Sequence, residues 1–495
     1  MKMKNIYLMI LVLGVLVSSC ELPDNVDPKS ATDVPAETLM ANAIRNSLAL
    51  IDDMNQNNNI SRMMCQYIGM TQYTDPSRYV FDVRQIPDGY WNNSYLTLQD
   101  FKEVKMLLSE LTGGSESFQR QLANKIAIVD ILEVLVYHNL VDVLGNVPYT
   151  EALGGFDGKT PAYEDQEAIY SDLQVRLSSA IATLAAGASD GSWGSEDLVY
   201  QGDVAMWKKF AATLKARMGM RLADVNPSTA QSELTAAISA GMLEPGETMQ
   251  LPWTAVTPHT NTIYAVFVPS GRTDYGPANT IIDMMVELDD ARLPAFFTQT
   301  DTSTEVGVEK WAYVGITYGS TTVAYNSISH FSDAMFEPDF PATFACNAEV
   351  EFMLAEAAAR GFSVTGTAQE HYEAGILESH AHWGVELDPA YLALPDVAWS
   401  DARAKELIGT QKWLAQFNRG NEGWATWRSF DWPVLNVPPD LSYTDIPFRM
   451  PYPFNEPDLN GDNYTSASAA IGGDDVRTLL FWDATGGTPT PSPGF

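Results

Sequence analysis

Apolar residues recur every three or four positions through residues 118–140, and this spacing is the strongest constraint on the fold. A helix of 3.6 residues per turn gathers such positions on one face, so the segment predicts a long amphipathic helix. Residues 203–222 repeat the pattern. The first stripe consists of Phe118, Leu122, Ile126, Val129, Leu132, Val136 and Leu140.

Further segments share this spacing less completely and are separated by Asn, Gly and Pro, which end helices. Neighbouring helices joined by short turns predict helix hairpins stacked in a solenoid-like array. A clean 34-residue repeat is not found in the sequence. The fold class is therefore mainly α, with these segments as the added helices: 37–54, 91–109, 165–185, 228–240, 279–288, 347–360, 367–381 and 400–418.

The stretch 246–345 has a different composition, rich in Thr, Pro, Gly and aromatic residues. Such a composition predicts short strands joined by long loops. Binding sites are commonly formed by irregular segments held on a rigid frame. The stretch is therefore the candidate binding segment.

The amino terminus is typical of a secreted protein. Lys2 and Lys4 precede an apolar run, 6–17, that is too short to cross a bilayer as a helix. The sequence then resembles a bacterial lipobox, with small residues before Cys20. This resemblance implies a signal peptide over 1–19, cleavage before Cys20, and acylation there with palmitate-type chains, which gives stable anchoring.

Residues 20–35 are expected to form a tether after the anchor, since they are rich in Pro and Asp. Residues 36–495 are expected to form a single domain. The acidic residues directly after Cys20 favour display on the outside of the outer membrane. The protein would then meet the membrane through its lipid anchor only.

Composition and charge restrict the ligand. The chain is 45% hydrophobic and 11% aromatic, which is enough for a packed core. Its formal net charge of −34 repels phosphate backbones and other polyanions. Nucleic acids and polyanionic glycans are therefore poor ligands, and neutral ones remain. Cys65 and Cys346 are interpreted as two buried thiols in preference to a disulfide.

Seven phrases follow one another along nearly the whole chain. They are VDVLGNVPYTEAL (141–153), WKKFAATLKARMGMRLAD (207–224), ELDDARLP (287–294), AEAAARG (355–361), QKWLAQFNRGNEGWATWRSFDWP (411–433), RMPYPFNEPDLNGDNY (449–464) and VRTLLFWD (476–483). In this order they resemble the SusD/RagB family of outer-membrane nutrient-binding lipoproteins, in its SusD-like branch.

The resemblance implies an α-helical fold of four tetratricopeptide-like helix pairs with an irregular, loop-rich part. It also implies a partner, a SusC-like TonB-dependent β-barrel transporter over which the lipoprotein closes as a lid. Catalysis is not implied. The function expected is non-catalytic capture of a nutrient, with a glycan as the favoured ligand.

The same phrases have a structural interpretation. The aromatic residues of 411–433 recur at near-helical spacing and are expected in the core, and Glu356 with Arg360 forms an i,i+4 ion pair. Asp458 to Asp462 lacks the ligands of a calcium loop. His371, Glu378 and His382 could share a helix face, but the helix is expected to end there. We therefore expect no cofactor, metal or catalytic residue.

A sugar site needs flat apolar rings beside amides and hydroxyls. One candidate region, 72–95, offers Tyr73, Tyr79 and Trp91, although Trp91 is as well explained as a core residue. The second candidate region is the loop-rich segment. Its candidates are Trp253, His259, Tyr275, Trp311 and Tyr318.

An alternative function remains open at this point. Solenoid-like surfaces also bind peptides and proteins, so the chain could act as a surface scaffold or peptide binder. Titration with glycans beside a peptide mixture distinguishes the two.

Overall fold

The computed structural model describes residues 34–155, 160–304, 309–438, 446–484 and 491–495. The predicted signal peptide and Cys20 lie outside these residues. The described chain is mainly helical, as predicted, and its longer helices are α1 (Ala36–Ile51), α3 (Ile86–Ser109), α4 (Glu116–Leu144), α5 (Gln166–Ala186), α6 (Val204–Arg221), α7 (Pro227–Ala240), α9 (Asn279–Glu287), α11 (Asn347–Ala359), α12 (Ala368–His382), α13 (Ala404–Ala415), α14 (Gly420–Phe430) and α16 (Gly461–Ala470).

Short helices and two-stranded sheets connect this frame. The short helices are α2 (Ser61–Met64), α8 (Thr262–Phe267), α10 (Leu293–Phe296) and α15 (Glu456–Leu459). The antiparallel pairs are β1 (Ile68–Met70) with β5 (Tyr275–Pro277), β2 (Val147–Pro148) with β3 (Tyr163–Glu164), β4 (Thr248–Leu251) with β8 (Ala342–Cys346), and β6 (Thr300–Asp301) with β7 (Trp311–Ala312).

Local sequence explains where these helices begin. Ser115 accepts a hydrogen bond from the backbone of Phe118 at the start of α4, and Asp203 caps α6 in the same way. Thr367 and Glu370 form a reciprocal capping box at the start of α12. Each cap satisfies backbone N–H groups that the first helical turn leaves unpaired.

Consecutive helices pack as hairpins. Helices α4, α5, α6 and α7 each contact the next in turn, as do α11 with α12 and α13 with α14. The helix predicted over 118–140 is observed as α4, and the one predicted over 203–222 as α6. The segment 246–345 carries four of the short strands and the start of β8, so its mixed, irregular character is also confirmed.

The core contains the aromatic residues predicted for it. Trp413, Phe417, Trp424 and Trp427 are all buried. Cys65 and Cys346 are buried free thiols, as expected. The Glu356–Arg360 pair is present at 2.9 Å.

A cluster of buried charges crosses this core, and the sequence analysis missed it. Arg217 and Arg221 of α6 pair with Glu349 of α11, Glu422 of α14 and Asp142 of α4, at distances of 2.6–3.3 Å. These five side chains are all at least nine-tenths buried. The pairs join four helices from distant parts of the chain.

Candidate functional site

A cleft of about 750 Å³ opens where the loop-rich segment meets the ends of α12 and α13. This volume is within the range of pockets that hold small ligands. One side is formed by 294–299 and Tyr313, and another by 332–334 and 340–343. Gln250 lies at the β4–β8 pair, and the remaining lining residues are His382, Trp383, Ala415, Phe417, Asn418 and Arg419.

Aromatic rings form the apolar part of the wall. Tyr313, Phe340 and Trp383 are half-buried, so part of each ring faces the cleft, whereas Phe417 is buried behind them. The Trp383 ring lies 5.7 Å from that of Phe417, which stacks on Phe296 at 4.2 Å. The ring wall is thus held in place by core packing before any ligand arrives.

Amides and hydroxyls lie beside these rings. Gln250 Nε2 donates to Thr343 Oγ1 at 2.9 Å, across the register that pairs the two residues in β4 and β8. Thr343 Oγ1 is also 3.4 Å from His382 Nε2. Gln299 is exposed at the cleft and Thr298 half-buried. The wall therefore combines flat apolar faces with neutral hydrogen-bonding groups.

The floor is the turn between α13 and α14, and buried charges fix it. Asn418 adopts a left-handed backbone conformation, with φ of 69°, and its Oδ1 accepts from Arg62 Nε at 2.9 Å. Arg419 Nη1 donates to Glu349 at 2.9 Å, which joins the floor to the buried charge cluster. Burial, and secondarily the charge of Arg419, lowers the pKa of His382 to about 4.

The structure places five of the predicted site residues in the core. Tyr318 Oη donates to the Met63 carbonyl at 2.6 Å, and Trp91 packs against Tyr163 at 5.6 Å. Because their rings are used in packing, these residues offer almost no face to a ligand. The five buried side chains are Tyr79, Trp91, Trp253, Tyr275 and Tyr318.

Tyr73 and Trp311 are the exposed members of the predicted set, at 59% and 55%, while His259 is half-buried. Tyr73 lies beneath the Arg84 guanidinium, with 5.2 Å between that group and the ring centroid. Trp311 begins β7, two residues before Tyr313 of the cleft wall. The predicted residues do not converge on one site, and the cleft lining contains none of the eight. The binding roles of Tyr73, His259 and Trp311 stay predictions.

The histidine and acidic side chains of α12 have separate partners. His371 lies 2.6 Å from Glu351, and Glu378 accepts from the Gly246 backbone at 3.1 Å, whereas His382 lines the cleft. Among the described residues, no group of three or more His, Cys, Asp or Glu side chains is placed to hold a metal ion. A search of the described helices also found none long and apolar enough to span a membrane.

Solved structures of similar fold cover nearly all of the chain. A SusD homologue from Bacteroides uniformis aligns with a TM-score of 0.77 at 24% identity, over 90% of this chain and 99% of its own. A chitin-binding SusD homologue from Flavobacterium johnsoniae aligns with a TM-score of 0.75 at 23% identity, over 90% and 99%. At these identities the likeness shows the shared fold.

Comparison with curated proteins returned no significant match. A SusD-like family model, described as starch-binding and associating with the outer membrane, matches residues 28–453. That match covers most of the sequence and agrees with the helical fold described above. The chain therefore belongs to the SusD-like family.

Proposed function

We propose that this protein is a lipid-anchored, cell-surface binding protein that captures a neutral glycan in the cleft for a SusC-like TonB-dependent transporter. The observation that carries the proposal is the composition of the cleft wall, which contains both aromatic rings and neutral amides and hydroxyls. The protein acts by binding, and transport is the work of its partner.

The chemistry of a pyranose ring fits this wall. The C–H face of a sugar is apolar and flat, so it packs on aromatic rings such as those of Tyr313, Phe340 and Trp383. Its edge carries hydroxyls that exchange hydrogen bonds with amides such as Gln299. A cleft that offers both kinds of contact binds a sugar and fixes its orientation.

Two findings from the comparisons support a glycan. The family description names starch, and two solved structures of the same fold are named as chitin-binding. Starch and chitin are both uncharged polymers of hexose rings. The cleft of this chain is suited to a ligand of that class.

The anchor and the partner complete the proposal. Acylation at Cys20 would hold the protein at the outer membrane, with 21–35 as a tether. A helical chain outside the membrane provides no path across it, so import requires a barrel. Family membership supports a SusC-like barrel in that role.

The test is calorimetric titration of the mature chain with malto-oligosaccharides, chito-oligosaccharides and a peptide mixture. Tyr313→Ala and Gln299→Ala should weaken the binding of whichever oligosaccharide binds the parent protein. The loss expected for the stacking ring is on the order of 1–2 kcal/mol. The melting temperature should change little, because both residues are incompletely buried.

Tyr264→Ala is the matched control, since Tyr264 is another half-buried tyrosine and does not line the cleft. It should bind like the parent protein. Normal binding by both cleft variants would place the site elsewhere, with Tyr73 and Trp311 next to be tested. Binding of peptides and not of sugars would favour the scaffold alternative.

A further inference from the structure

The charge of the cleft wall follows from three side chains. Among the described lining residues, the ionisable side chains other than tyrosine are those of Asp333, His382 and Arg419. Their individual environments decide which of these charges a ligand meets.

The positive charge of Arg419 is balanced by a buried carboxylate. Its Nη1 donates to Glu349 Oε2 at 2.9 Å, and Glu349 is almost fully buried. Glu349 also pairs with Arg217, which lies 3.3 Å from Glu422. With Arg221, Asp142 and Glu422, the connected cluster contains three arginines and three carboxylates, whose formal charges cancel. It also contains His138, which lies 3.5 Å from Asp142 and 3.8 Å from Glu422.

His382 adds no positive charge at neutral pH. Its ring is largely buried beside Arg419, and both factors favour the uncharged imidazole. Its Nε2 lies 3.4 Å from the Thr343 hydroxyl. The ring therefore acts as a neutral hydrogen-bonding group of the wall.

Asp333 differs from Arg419 and His382 in its exposure to solvent. It begins a short 3₁₀ helix, Asp333–Phe336, and its side chain is exposed at the cleft. Among the described residues, none forms an ion pair with Asp333. An exposed carboxylate in this position repels a carboxylate on a ligand, and juxtaposed like charges weaken binding. The wall as a whole therefore presents a negative charge to a ligand.

We infer that Asp333 is a charge-selectivity residue, which makes the cleft bind neutral oligosaccharides and reject their uronate counterparts. The inference rests on the proposed function, because it assigns a selectivity to the same cleft. It deepens that function by naming the residue that discriminates.

The experiment compares each neutral oligosaccharide that binds with the same oligosaccharide oxidised at C6 to the uronate. Calorimetric titration of the mature chain should give an affinity at least about tenfold higher for the neutral form. Asp333→Asn should narrow this ratio severalfold, mostly by strengthening uronate binding. High salt should narrow it too, because exposed charges are screened.

Asp339→Asn is the matched control, an identical substitution at an exposed aspartate six residues away that does not line the cleft. It should leave the ratio unchanged. Equal or tighter binding of the uronate, or an unaltered ratio in Asp333→Asn, would overturn the inference while leaving glycan binding intact. Absence of binding by both sugar forms would instead refute the proposed function, and the inference with it.

Discussion

Arg62 Nε donates a hydrogen bond of 2.9 Å to Asn418 Oδ1, although 356 residues separate them in the chain. The same guanidinium pairs with Asp52 at 2.5 Å and donates to the backbone carbonyls of Asp52 and Asp53. One buried side chain thus ties the end of α1 to the floor of the cleft.

Replacing Arg62 by Leu should destabilise the fold strongly. The substitution leaves Asp52 buried without its cation, and such a loss costs about 3–5 kcal/mol. Urea denaturation measures the change. Arg477→Leu is the control, because its pair with Asp475 is half exposed and should contribute less than about 1 kcal/mol. Similar losses in both variants would contradict the assigned role of Arg62.

Stability should also depend on the ionisation of Asp52. Burial raises the pKa of this carboxyl from 3.8 to about 6, against the opposing charge of Arg62. A pKa that is raised in the folded state means that the protonated Asp52 carboxyl favours folding. This stabilising contribution is present below pH ~4 and is lost as the pH rises through ~6. Asn cannot ionise, so Asp52→Asn lacks this pH-dependent contribution.

The measurement is the free energy of unfolding of both proteins at several pH values. Between pH ~4 and ~7, the free energy of unfolding of Asp52→Asn should rise relative to that of the parent protein by on the order of 2–3 kcal/mol. A difference that stays constant over that range would show that the pKa of Asp52 is not raised.

Tyr318 should behave as a core residue. Tyr318→Phe removes the hydrogen bond to Met63 and should cost about 1 kcal/mol of stability, whereas Tyr318→Ala should cost roughly 3–5 kcal/mol. Trp424→Ala, at another fully buried ring, is the comparison and should melt early in the same way. If Tyr318→Ala kept its stability and lost glycan affinity, the ring would have to face the ligand.

If Cys20 carries the proposed acyl chains, Cys20→Ala should release the protein from the outer membrane without changing its fold, because those chains would supply the attachment. Membrane fractionation with a carbonate wash, together with circular dichroism of the released chain, checks both parts. Retention of the variant in the washed membranes would contradict the lipobox assignment.

The proposed transporter partner is tested by pull-down. Extraction of the native protein in mild detergent, followed by pull-down, should recover a large TonB-dependent barrel in near-equal amount. Recovery of the protein alone in several detergents would count against a lid that closes over a barrel.

The helical frame could be predicted from the sequence because apolar residues spaced three or four positions apart indicate the buried face of a helix. Five residues of the stripe through 118–140 are buried in α4, whereas Phe118 is exposed and Ile126 is half-buried, and Trp424 is in the core as expected. Loops have no regular spacing of apolar residues that would indicate which side chains are buried. Trp253 and Tyr318 lie in an irregular segment where the sequence alone does not indicate which side faces solvent, and both proved to be buried.

The cleft was missed for a related reason. Phe340 and Trp383 are separated in sequence but lie 6.3 Å apart, centroid to centroid, and only tertiary packing brings them together. Tyr313 lies in the aromatic-rich stretch 246–345, and His382 was considered only as a metal ligand on one helix face. Nothing in the sequence indicated that the two residues line the same cleft. Arg217 and Glu349 lie in segments that were predicted as helices. The spacing of residues along the sequence does not indicate which distant side chains they pair with.

The cleft also separates two kinds of evolutionary change. Its floor, at Asn418 and Arg419, is fixed by buried charges, so mutations there should lower the stability of the fold. Its walls at 294–299 and 332–343 are loops and short elements, whose exposed residues can be exchanged with little effect on the helices. Natural selection can therefore change the ligand preference proposed for the cleft while the helical frame is inherited unchanged.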